Sequence, residues 1–139
     1  MALTVSKFDR SLGYIMAVES DSTNSLITDA FAGNGKIYSI DFDNTSGSNT
    51  NYLKLYLSSY SPVLGSTAPD IILRCLGSTR ESWTIPEGIP FTSCSFATTL
   101  NAATSDTTAS AGTSVVRITA STEETATKTY SPLIALTTE

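Results

Sequence analysis

The chain contains no histidine among its 139 residues. The commonest general base and the commonest transition-metal ligand are therefore missing, which excludes Ser-His-Asp and Cys-His catalysis and histidine-based zinc sites. Cysteine is almost as scarce. Cys75 and Cys94 stand alone, too few for the disulfide framework of a small secreted domain or for a four-cysteine metal site. Both read as reduced, core-facing thiols, since free cysteine is among the most buried residue types. A bridge between them would need Cα atoms within roughly 7 Å.

Charge is thin as well. Eight Lys and Arg face 13 Asp and Glu, charged residues make up 15% of the chain, and the net charge is −5. So few charges argue against long solvated helices, and an acidic balance argues against nucleic acid as a partner, because phosphate binding draws on Lys and Arg. Long apolar runs are absent too. Nothing approaches the ~20 residues a membrane helix needs, and Met1-Ala2-Leu3-Thr4-Val5-Ser6-Lys7-Phe8-Asp9 lacks the basic-then-apolar layout of a signal peptide. The expectation is a soluble chain made in the cytoplasm, with no membrane partner.

What is abundant is small hydroxyl side chains: 21 serines and 22 threonines. They sit poorly in helix interiors, and threonine favours strands. The length suits one domain. Short strands alternate with turn signals throughout. Lys36–Asp43 places Tyr38, Ile40 and Phe42 on one face and Ser39, Asp41 and Asp43 on the other, the two-residue period of a half-buried strand. Tyr52–Leu57 repeats it, with Leu53, Leu55 and Leu57 opposite Tyr52, Lys54 and Tyr56. Further strands are predicted at Asp70–Leu76, Glu81–Ile85, Ser93–Thr98 and Ser114–Thr119, the last as a closing strand.

Leu26–Phe31 and Lys36–Asp43 are predicted to form a first hairpin through Gly33-Asn34-Gly35. Lys36–Asp43 and Tyr52–Leu57 are predicted to form a second. Pro86–Phe91, with two prolines, reads as a bent connection or an edge. Asn101–Gly112 reads as an exposed flexible loop. About seven strands between Ser25 and Thr119 predict an all-β chain, a single antiparallel β-sandwich of jelly-roll or Ig-like kind. Its core would span residues 25–120, with an N-terminal arm or added strand at 1–24 and a C-terminal arm at 121–139. The apolar run Tyr130-Ser131-Pro132-Leu133-Ile134-Ala135-Leu136 in that arm needs a partner surface.

Three groups of residues invite a chemical reading. Asp41, Asp43, Asn44, Asn49 and Asn51 are oxygen ligands of the kind calcium prefers, but their spacing does not follow the EF-hand loop. Asx-turns and a solvated strand face are the reading this spacing favours. Asp70, Glu81 and Glu87 are carboxylates of the type used in glycoside hydrolysis, which needs two of them facing each other about 5–10 Å apart. No motif assembles these three. Tyr14, Tyr38, Tyr52, Tyr56, Tyr60, Tyr130 and Trp83 offer aromatic faces for sugar stacking, with Tyr52 and Tyr56 the best pair. The sequence assigns no catalytic residue, no cofactor and no metal site.

The succession Ile37-Tyr38-Ser39-Ile40-Asp41-Phe42-Asp43-Asn44, Tyr52-Leu53-Lys54-Leu55-Tyr56, Ser66-Thr67-Ala68-Pro69-Asp70-Ile71-Ile72-Leu73 and Ile85-Pro86-Glu87-Gly88-Ile89-Pro90-Phe91 resembles small structural proteins of tailed bacteriophages, nearest the capsid decoration, or cement, proteins. The resemblance covers roughly Ser25 to Ala120. It implies a noncatalytic virion component, a homotrimer on the capsid surface that ties neighbouring major capsid proteins together. Related sandwiches in tail fibres and baseplates imply the alternative of a module that binds host glycans.

Overall fold

The computed structural model describes residues 2–7, 14–110 and 112–122. These form eight strands: β1 (Leu3–Lys7), β2 (Ile15–Ser22), β3 (Gly35–Asp43), β4 (Asn51–Tyr56), β5 (Ile71–Cys75), β6 (Arg80–Phe91), β7 (Ser95–Thr99) and β8 (Ser114–Thr122). No helix occurs among the described residues, so none is long and apolar enough to cross a membrane. Two antiparallel sheets, ordered β1-β2-β8-β3-β6 and β5-β4-β7, make a single β-sandwich.

Alternation supplies the core. Ile15 and Ala17 of β2, Ile37, Ile40 and Phe42 of β3, and Val116, Ile118 and Ala120 of β8 point inward from the larger sheet. Leu53 and Leu55 of β4, Cys75 of β5 and Phe96 of β7 meet them from the smaller one, with Ile71, Leu73 and Trp83 against the edge of the cluster. At about 25 cal/mol per Å² of apolar surface removed from water, this shared layer is the main force holding the sheets together. Both cysteines are free and buried.

The connectivity departs from both predicted hairpins. Leu26–Phe31 does not pair with β3. Residues 23–30 instead run beside β7: Ile27 and Phe96 exchange two main-chain hydrogen bonds of 2.9 Å, and the Ala30 N–H donates to the Cys94 carbonyl at 2.8 Å. Ile27, Ala30 and Phe31 thereby reach the core from the smaller sheet's side. Gly35 serves close packing instead of turning: a Cβ there would lie on the Ser121 carbonyl oxygen. Nor do β3 and β4 form a hairpin, because they lie in different sheets. The chain crosses between layers at Asn44–Thr50, and β4 takes β5 and β7 as neighbours. An alternating strand specifies its buried face and not its partner, so the periodicity was compatible with either pairing.

Other differences are local. Pro86–Phe91 belongs to β6, a 12-residue edge strand. Its register against β3 shifts between Ile37 and Ser39, where Ile85–Gly88 bulge out opposite Tyr38. An edge tolerates both prolines because one flank of the strand needs no N–H donors. β8 is not a closing strand; it is the centre of the larger sheet, between β2 and β3, and runs through Ser121 and Thr122. The stretch 1–24 contributes β1 and β2 to that sheet. Residues 123–139, which hold Tyr130 and the Leu133–Leu136 run, lie outside the described residues.

Candidate functional site

The outer face of the larger sheet carries a charge cluster centred on β3. The Asp41 Oδ1 atom accepts hydrogen bonds from Arg80 Nε at 2.9 Å and Ser82 Oγ at 2.6 Å, while Oδ2 accepts from Arg117 Nη1 at 3.0 Å. Partial burial pushes the Asp41 carboxyl up, but hydrogen bonds from Arg80, Ser82 and Arg117 outweigh it and hold the group below the usual carboxylate range. Asp41 thus stitches β6, β3 and β8 together. Asp43 turns to Thr45, whose hydroxyl at 2.6 Å and N–H at 3.0 Å both donate to its Oδ1. Those two bonds are the main reason its carboxyl is also held low.

Asn44, Asn49 and Asn51 do converge, at the end of the sandwich where the sheets are tied. The Asn44 side-chain amide donates to the carbonyls of Asn49 at 2.8 Å, Leu76 at 3.1 Å and Cys75 at 3.3 Å. Asn51 Nδ2 donates to Asn44 Oδ1 at 2.9 Å and to Ser114 Oγ at 3.1 Å. Most of the oxygens in this knot are already engaged by the side-chain amide N–H groups of Asn44 and Asn51. Among the described residues no group of three or more carboxylates or thiols is placed to hold a metal. The calcium reading of Asp41, Asp43, Asn44, Asn49 and Asn51 is therefore replaced by two structural networks.

The outer face of the smaller sheet is exposed along β5 and enclosed over the end of β4. Sequence alternation places Tyr52, Lys54 and Tyr56 on a solvent side, yet Lys54 and Tyr56 are fully buried. Residues 101–110 fold over Lys54, exposed outward but tied inward. Lys54 Nζ donates to the carbonyls of Ala103 at 2.6 Å and Asp106 at 2.9 Å. The tract is braced by the Asp106 carboxylate, which accepts from Thr108 Oγ1 at 2.8 Å and from the Asn101 N–H at 3.0 Å. It meets the 58–70 loop at Gly65, where a Cβ would collide with Thr107. Burial lowers the Lys54 pKa against the opposing charge of Asp106. Burial also raises that of Tyr56, whose hydroxyl has no hydrogen-bond partner among the described residues. Tyr56 is thus unavailable to a sugar, which removes Tyr52 and Tyr56 as a stacking pair.

The accessible aromatics are elsewhere. Tyr14 and Tyr38 make an edge-to-face pair with ring centroids 5.3 Å apart. Tyr38 also lines an open cavity of about 370 Å³ together with Asn34, Lys36, Pro90, Phe91 and Ser121. Its ring lies close to Gly88 in the β6 bulge. Trp83 is half-buried against the core. The carboxylates scatter: Asp70 accepts from the N–H groups of Leu57 at 2.6 Å and Ser58 at 3.2 Å beside the smaller sheet, whereas Glu81 and Glu87 project from β6 of the larger one.

A further feature, one that sequence reasoning missed, is an apolar rim. Of the seven large apolar side chains exposed among the described residues, Tyr60, Val63, Ile72 and Leu76 lie on β5, just beyond it, or in the loop that leads into it. β5 is an edge strand. The only sequence signal was Ile72, which shares a strand face with Arg74 opposite the inward Ile71, Leu73 and Cys75. No protein-family model, curated protein or solved structure matches the chain.

Proposed function

We propose that the chain is a noncatalytic virion protein, a cement or decoration protein that sits on a phage capsid as a homotrimer and bridges major capsid proteins. The observation that carries this reading is the β5 rim. Exposed Tyr60, Val63, Ile72 and Leu76 lie on or beside a strand whose outer flank has no partner strand among the described residues. Apolar exposure at an unpaired edge is the arrangement by which a small domain adheres to another protein surface. The polar residues with chemical potential support it too, since Asp41, Asn44, Asn51 and Lys54 are spent on holding strands and loops in place. A ligand that binds only the assembled lattice stabilises it by mass action, with no bond made or broken.

The test is co-sedimentation of the purified chain with heads assembled from the major capsid protein, alongside light scattering of the free chain. A trimer that decorates heads, and whose binding is abolished by Ile72→Asp with Leu76→Asp, is the expected result. A monomer that never joins particles defeats the proposal.

A second reading has its own observation, the Tyr14–Tyr38 pair beside the open cavity. Ring faces, the Asn34 amide and the Ser121 hydroxyl are the groups that bind sugars, which fits a tail or fibre module for host glycans. Glycan-array binding lost in Tyr38→Ala would favour it over the capsid role.

A further inference from the structure

Residues 101–110 form a loop with a narrow neck. The Leu100 N–H donates to the Thr108 carbonyl at 3.1 Å, and Thr99 pairs with Ala109 in an isolated bridge. Inside the loop, the Asp106 N–H donates to the Ala103 carbonyl at 3.0 Å, while the Asp106 carboxylate accepts from the Asn101 N–H and the Thr108 hydroxyl. Ends held together and bonds turned inward are the marks of an Ω-loop, a compact segment that keeps its own shape.

Little apolar surface ties this loop to the sheets. None of residues 101–110 is buried, and their only apolar side chains are those of Ala102, Ala103 and Ala109. Among the described residues, no main-chain hydrogen bond joins 101–107 to another element. The hold comes from side chains. Asn24 Nδ2 donates to the Thr107 carbonyl at 2.9 Å on an exposed surface, and the Thr107 methyl packs where a Cβ on Gly65 would stand. Beneath the loop, the fully buried Lys54 gathers the Ala103 and Asp106 carbonyls on one ammonium. Hydrogen bonds from a charged donor are roughly twice as strong as neutral ones, so Lys54 is the principal tie. A segment with few buried apolar contacts opens at lower cost than the core. Because its braces are internal, this one can leave the sheet without losing its shape, and the ammonium it uncovers regains water.

We propose that residues 101–110 are a lid latched by Lys54, which swings off β4 as one body while both sheets stay folded and so delivers the Lys54 amine to solvent. The lid does not rest on the capsid reading. Chemical labelling of the unaltered chain tests it, with an amine-acetylating reagent for Lys54 and a thiol-alkylating reagent for Cys94, a fully buried reporter of global unfolding. Each rate is divided by that of the same residue in the unfolded chain. On this scale Lys54 should react about tenfold or more faster than Cys94, yet more slowly than the exposed Lys36. Urea below the unfolding transition should leave the Lys54 rate unchanged while that of Cys94 climbs. Asn24→Ala removes the exposed tie and should speed Lys54 by about fivefold, with Cys94 unmoved. Lys54 and Cys94 rates that coincide and climb together with urea would overturn the proposal, by making the loop part of the global unfolding unit. A Lys54 rate equal to that of Lys36 would overturn it too, as would an Asn24→Ala effect that is absent or shared by Cys94.

Discussion

Two charged residues occupy equivalent places in this sandwich and meet opposite fates. Asp41 and Lys54 each sit at the outward position of a central, alternating strand, β3 in one sheet and β4 in the other. Asp41 faces two arginines on a largely solvated surface, with its own side chain 16% exposed and those of Arg80 and Arg117 52% and 33%. Lys54 is sealed under residues 101–110 and donates to two loop carbonyls. The difference teaches that strands choose the inner face of a sheet, while loops choose what becomes of the outer one. Exposed pairs gain little because water competes for both partners, whereas a buried ammonium carries a desolvation cost that only its acceptors offset.

The comparison breaks most decisively at Lys54. Lys54→Ala leaves the Ala103 and Asp106 carbonyls without their donor and empties the space of a long side chain. Urea unfolding should show a loss of about 3 kcal/mol. Lys54→Met keeps the stem without the charge and should recover more than half of that loss. A Lys54→Ala variant as stable as the wild type would mean that the tract seals nothing.

Alkaline titration sharpens the same point through a thiol. Cys94 is fully buried, and burial, with the nearby Asp29 charge, pushes its pKa from 9.0 up to about 12. The unfolded thiol ionises first, so the stability this group contributes is complete below pH 9 and drains away as pH rises toward 12. By pH 10.5 the loss should reach about 2 kcal/mol, and Cys94→Ala should flatten that part of the profile. Lys54 acts in the other direction. Its lowered pKa means the unfolded chain holds the extra proton, so its contribution rises as pH climbs toward 10.5. Lys54→Met should therefore steepen the alkaline fall.

On the solvated face the effects should be smaller. Asp41→Asn removes the charge from a partly exposed cluster and should cost about 1 kcal/mol in the same unfolding assay, a cost reduced in high salt. The Asp41 carboxyl is held low, so its stabilisation is present above the usual carboxylate pKa and disappears as pH falls below it. A loss at Asp41 equal to that at Lys54 would erase the distinction between the two faces.

Much of the architecture was legible in particular residues. Ile40 and Phe42 share a buried face as their alternation predicts, and so do Leu53, Leu55 and Leu57, because hydrophobic alternation is a local property of an extended chain. Tyr38, predicted on the same face, leaves the core at the register shift, and Ile37 is buried instead. The edge character of Pro86–Phe91 was legible from its prolines. The partner of each strand was not. Leu26–Phe31 carried the apolar content of a hairpin arm, yet it lies along β7, across the sandwich from β3. The candidate sites fared similarly. Asn44 and Asn51 were singled out as oxygen ligands, but the Asn44 amide nitrogen donates to a buried carbonyl and the Asn51 amide nitrogen to the Asn44 side-chain oxygen. Residue type cannot reveal which end of an amide points inward.

The sequence by itself determined an all-β sandwich with a core of alternating aliphatic and aromatic residues and no histidine chemistry, since composition and a two-residue period require nothing beyond the local chain. Only the tertiary structure decided that β8 is the central strand, that Lys54 is roofed and Tyr56 buried, and that, among the described residues, an apolar rim lies at β5. Each of these depends on which distant segments come to lie side by side, and that is settled by the competition among all the segments to bury surface at once.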